Sequence, residues 1–208
     1  MQLRYVWDPF IRIFHWSLVI AFCVAFYTHA SEWDRLLHAQ AGYVAGGLML
    51  SRIIWGIIST GYANFRTFPL NPFRAIRYVM HIFRGNAKHY IGHNPTGALV
   101  IYSMLAVGLT AVASGFLVYN DGWLIDEPEL LQAIHHYSTW GWLILVSVHV
   151  SGVIFESVIH KDNLIWAMIT GCKRVCKIDE REKNNKMATV KKHLLIKKLQ
   201  KLMFHVKH

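Results

Sequence analysis

Four stretches of the chain are continuously apolar over a length that crosses a bilayer, which takes about 20 residues of α-helix. They run from about Phe10 to Thr28, His38 to Ser59, Thr96 to Val118 and Leu131 to Val158. None alternates apolar and polar positions as a barrel strand does, so closed β-barrels are excluded. The first carries Arg12 and His15 inside its apolar run and no small-residue cleavage site after it, which marks a retained helix rather than a signal peptide. The pattern predicts an all-α, integral membrane four-helix bundle over residues 1–171, followed by a basic tail over 172–208. In the tail, Leu195, Leu199 and Leu202 share one helical face of the segment Val190–Phe204, and its lysines stay largely off that face. This is the pattern of a helix lying on an anionic membrane surface, a solvated tail being the alternative.

Composition agrees with the pattern. Of 208 residues, 54% are hydrophobic and only 16% charged, against about 25% charged in an ordinary soluble domain. Three cysteines are too few and too scattered for a disulfide framework. The net charge of +10 is distributed by loop. Arg4 and Arg12 lie at the start; Arg66, Arg74, Arg77, Arg84 and Lys88 lie between the second and third spans; 13 further Lys and Arg follow the fourth. The other two loops hold Arg35 against Glu32, Asp34, Asp121, Asp126, Glu127 and Glu129. Lysine and arginine bias sets topology, so both termini and the central loop are expected in the cytoplasm. The charge is therefore a topology signal and a lipid contact, and a nucleic-acid partner is not expected.

Ionisable residues inside membrane spans are costly and mark functional sites. His15 lies in the inner half of the first span and His149 in the inner half of the fourth. His38 and His135 open the second and fourth spans at the outer side. Along the fourth span His135 and His149 are 14 residues apart, within roughly 40° of one helical face, whereas His136 is roughly 140° away from His149. The rise between His135 and His149 is about 21 Å, too far for one metal ion. Paired by depth, His38 with His135 and His15 with His149, the four imidazoles describe two bis-histidine haems in a four-helix bundle. Zinc fits less well, because each level supplies two ligands with no cysteine or carboxylate beside them. Gly42 and Gly46 follow His38 at four and eight residues and leave a clearing for a macrocycle, although such glycines also serve helix packing. Arg12 shares the face of His15 and Arg52 ends the second span; each is a candidate partner for a haem propionate, with snorkelling to the interface as the other reading.

These residues resemble a known family. The stretch RIFHW (Arg12 to Trp16), the sequence His38, Gly42 and Arg52, and the segment HNPTG (His93 to Gly97) are similar to the bacterial cytochrome b561 and nickel–iron hydrogenase b-type cytochrome family. So are HHYSTW followed by His149, and NLIWAMITG (Asn163 to Gly171). The resemblance covers residues 4 to 171. It implies that His15, His38, His135 and His149 ligate two haem b groups in the bacterial inner membrane. It further implies electron transfer between the quinone pool, with quinone as diffusible substrate, and a periplasmic redox protein.

A c-type cytochrome suits the acidic outer loops as that partner. A hydrogenase cytochrome b subunit is an alternative. So is a superoxide oxidase, which needs a positive outer funnel where this chain has mainly acids. A haem-free membrane scaffold is the reading from another class, and it leaves the depth-matched histidines unexplained. The expected role is an electron carrier with quinol oxidoreductase character. His93 and Glu156 are candidates for relaying a quinol's protons, with helix capping and an interfacial salt bridge as their plainer roles.

Overall fold

The computed structural model describes residues 2–84, 90, 92–120 and 127–175. Tyr5–Lys173 make one compact unit. Four helices in it are long and apolar enough to cross a membrane: α1 (Pro9–Thr28), α2 (Arg35–Ile58), α4 (Pro95–Tyr119) and α5 (Pro128–His160). Outside the expected spans lie the 12-residue helix α3 (Pro72–Phe83), the short helix α6 (Leu164–Thr170) and a two-stranded sheet of β1 (Gln2–Tyr5) and β2 (Cys172–Val175). The segment Val190–Phe204 lies outside the described residues.

Two of the spans, α1 and α4, begin at a side-chain cap followed by a proline. Asp8 caps α1 by accepting a hydrogen bond from Ile11 N at 2.9 Å, and Pro9 fills the first turn, where its missing N–H costs nothing. Asn94 caps α4 in the same way through Gly97 N at 2.6 Å, ahead of Pro95. Asn163 caps α6 through Trp166 N at 2.8 Å. That helix ends at Gly171, with φ +83°, where a Cβ would stand 2.8 Å from Trp7 O. Gly171 O accepts from Val6 N and Trp7 N, which ties the two ends of the bundle chain together.

Close helix packing joins α1 to α2, α2 to α4, and α4 to α5. The remaining seam, between α5 and the α1–α2 pair, is bridged by ring side chains: His15 to His149, Phe22 to Trp142, and His38 to His135. Ala45, Met49, Leu105, Ala111 and Trp142 form the core. The seam that helices leave open is where the four histidines stand.

Candidate functional site

His38 lies in the first turn of α2 and His135 in the second turn of α5. Their ring centroids are 6.2 Å apart with the planes at 90°. Nearer the other end of the bundle, the rings of His15 on α1 and His149 on α5 stand 6.4 Å apart at 58°. An ion lying on the line between two ligating rings would put their centroids about 6.3 Å apart, from two bonds of about 2.0 Å and about 1.15 Å from each nitrogen to its ring centre. Both pairs have that separation.

The protonation of the first pair follows from its hydrogen bonds. His38 Nδ1 lies 2.9 Å from Ala25 O of α1, and His135 Nδ1 lies 2.9 Å from Ala111 O of α4. A carbonyl oxygen only accepts, so each Nδ1 carries the proton and donates it. In the neutral ring the lone pair is then on Nε2, the arrangement that orients a ligating imidazole. In the second pair, His15 Nδ1 is buried with no hydrogen-bond partner. His136 is exposed and lies edge-on to Tyr137 and Trp140, so it is His135 that faces His38.

No group of three or more His, Cys, Asp and Glu among the described residues could hold a metal ion. A bare ion would therefore have two protein ligands per level. A group that brings its own in-plane ligands needs only those two. The space beside the first pair fits a flat group: a cavity there is lined by His38, Gly42, Ala111, Gly115, His135 and Trp142. A Cβ built on Gly42 would meet nothing within 4 Å.

Comparison with known proteins gives the same chemistry. Residues 6–171 match the family described as prokaryotic cytochrome b561. The chain belongs to that family. It is a membrane cytochrome of the b type, and its work is electron transfer through haem b. Among its relatives is a probable Ni/Fe-hydrogenase B-type cytochrome subunit of Azotobacter vinelandii, 24% identical, covering 80% of this chain and 87% of the relative. The like-named protein of Rhodobacter capsulatus is 21% identical over 80% of each chain. The probable Ni/Fe-hydrogenase 1 B-type cytochrome subunit of Escherichia coli K12 is 23% identical, covering 81% and 89%. No solved structure matches.

Around the histidines of this b561 chain, several residues take roles different from those the sequence suggested. Gly46 does not extend the clearing: a Cβ there would stand 2.7 Å from Val112 Cγ1, so it serves the α2–α4 contact. Gly115 on α4 makes room for the His135 ring itself, since a Cβ there would reach 2.8 Å from His135 Cε1. Arg52 does not snorkel. It is 5% exposed, donates from Nη2 to Ala63 O at 3.1 Å and lies over the Phe65 ring at 4.6 Å, while Nη1 is buried without a partner. Arg12 donates from Nη1 to Ile169 O at 2.8 Å, closing the end of α6, and its Nε is likewise buried without a partner. Each arginine thus has one buried nitrogen with no hydrogen-bond partner.

His93 is not a helix cap, a role Asn94 takes. Its ring stacks on Phe68 at 4.1 Å and meets Trp7 edge-on at 4.8 Å. Burial, with Arg52 and Lys173 adding their positive charge, pushes its pKa down to about 3, so the ring is neutral. Glu156 accepts from Asn94 Nδ2 at 2.6 Å. Lys173, 3% exposed, donates to Tyr90 O at 2.8 Å; burial lowers its pKa and the nearby Glu156 and Asp162 oppose that shift.

Midway between the two pairs, Trp142 lies seven residues from both His135 and His149 on α5. It meets Phe22 edge-on at 5.0 Å and packs against Gly108, where a Cβ would be 2.8 Å from its ring. Met49, fully buried, completes this dry partition.

Proposed function

We propose that this chain carries two haem b groups, one held by His38 and His135 and the other by His15 and His149, and moves electrons across the bacterial inner membrane. The observation that carries the reading is the two imidazole pairs, with centroids 6.2 and 6.4 Å apart, near opposite ends of the same bundle. Haem iron supplies one-electron redox chemistry when bound. The rest is work for the chain. Its neutral imidazoles ligate without adding charge to the membrane interior. The carbonyls of Ala25 and Ala111 fix the first pair in the ligating tautomer. The unused nitrogens of Arg12 and Arg52 neutralise propionate carboxylates. The partition of Phe22, Met49 and Trp142 keeps water out of the space between the two levels.

Loop charge supports a topology with both termini in the cytoplasm, which puts the His38–His135 pair at the periplasmic side. We assign quinone as the diffusible partner and a periplasmic redox protein as the other. Relatives bearing the name of hydrogenase subunits over 80–89% of their own length support a nickel–iron hydrogenase in that place. A c-type cytochrome is the second reading, favoured by Glu32 and Asp34 ahead of α2 and by Glu127 and Glu129 at the start of α5, on that side.

Four variants test the ligand set. His15→Ala, His38→Ala, His135→Ala and His149→Ala should each lose one haem per chain and keep the other. A variant that retains both haems removes its histidine from the set. Reduction of the haem by a quinol in the purified protein supports the quinone assignment; reduction by dithionite alone overturns it.

A further inference from the structure

Between Arg35 and Asn120 the chain contains no Asp or Glu. The helix α3 lies inside this interval, and at about 100° per residue its circumference divides into three sectors. Ala75 and Tyr78 are buried, Val79 and Ile82 half-buried, and Thr96 Oγ1 donates to Ala75 O at 3.0 Å, so this sector faces α4. To one side of it stand Phe73, Ile76 and Met80, exposed by 78%, 59% and 48%. To the other side stand Arg74, Arg77, His81 and Arg84, all exposed. Measured from Phe73, the packed sector centres near 190°, the apolar one near 335° and the basic one near 60°.

A helix packed on a protein in water has two sectors, one apolar and inward and one polar and outward. Three sectors fit a helix with three surroundings. The level of α3 identifies the third. Thr96 is the second residue of α4, so α3 is docked where that span begins, at the depth of a membrane surface. We propose that α3 is an interfacial helix that binds anionic phospholipid. Phe73, Ile76 and Met80 enter the boundary of the acyl chains, and Arg74, Arg77 and Arg84 engage headgroup phosphates through their planar forks. The inference stands apart from the haem assignment, since it uses none of the histidine pairs.

The test uses the full chain in nanodiscs of equal zwitterionic and anionic phospholipid. Lipid that stays with the protein after mild detergent extraction is identified by mass spectrometry. The combined variant Arg74→Gln, Arg77→Gln, Arg84→Gln should lower the anionic-over-zwitterionic ratio, by up to about fivefold per arginine, while Arg35→Gln, at the far end of α2, leaves it unchanged. An unchanged ratio in the triple variant overturns the proposal.

A fluorophore on Met80→Cys, with Cys23, Cys172 and Cys176 replaced by Ser, gives a second reading. Quenching by a lipid-borne quencher over a water-soluble one supports insertion, and equal or reversed quenching refutes it. If the triple variant keeps its lipid ratio and instead loses a co-purifying acidic protein, the face is a protein interface and the lipid assignment is wrong.

Discussion

Replacing Gly42 by valine separates the demands of the polypeptide from those of a bound macrocycle. A Cβ at Gly42 meets no atom within 4 Å, so the chain alone has room for the side chain. Glycine in a helix interior is disfavoured, and valine recovers about 0.3–0.5 kcal/mol of that cost. The haem-free protein should therefore be as stable as the parent or slightly more so. If a flat group fills the cavity that Gly42 lines beside His38 and His135, the new methyls overlap it. Overpacking of that kind costs about 1–3 kcal/mol, which is roughly a 5- to 150-fold loss of affinity.

Gly115→Ala is the companion variant, and it acts through the protein. Its Cβ would stand 2.8 Å from His135 Cε1, against about 3.4 Å for ordinary contact, so the ring must retreat by about 0.6 Å and stretch its bond to Ala111 O. It should destabilise the haem-free chain as well as the site. The assay compares thermal unfolding of protein from haem-deficient cells with haem content after titration. Haem affinity unchanged in Gly42→Val would refute the placement of a macrocycle against that face.

Three further outcomes follow from the same geometry. His136→Ala should keep full haem content, because that ring points away from the bundle; loss of a haem in this variant while His135→Ala keeps both would reverse the assignment on α5. Arg52→Met removes a buried positive charge close to the His15–His149 level, so the potential of that haem should fall by tens of millivolts in a redox titration; a rise would contradict it. His93, with its pKa near 3 in the fold against 6.5 unfolded, takes up a proton more readily in the unfolded chain. Stability is therefore full above about pH 6.5 and is lost progressively as the pH falls below it. His93→Phe, which keeps the stack on Phe68, should flatten that slope in acid unfolding curves.

The four spans were legible because a bilayer demands some 20 apolar residues in a row, a signal that local chemistry does not blur. The juxtaposition of His38 with His135 and of His15 with His149 was legible too, from depth and helical angle alone. What the sequence hid lies mostly on the backbone or across helices. The carbonyls of Ala25 and Ala111 that orient two imidazoles leave no mark on residue type. Gly115 was overlooked because α4 has no histidine to draw attention to it, and Gly46 stayed open between two roles because a clearing and a close helix contact use the same residue. Arg52 looked like an interfacial arginine from its place near the span end, yet the turns after α2 fold back and bury it against Phe65. The helix α3 escaped notice because its arginines were read as loop charge, and three sectors blur the two-faced period that marks a surface helix.

The central claim is tested most directly by the ratio of haem to chain in the purified protein, with its reduced-minus-oxidised spectrum. Two low-spin b-type haems per chain are the expected result. One haem would dissolve one of the two histidine pairs, and none, in folded protein from haem-replete cells, would contradict the account.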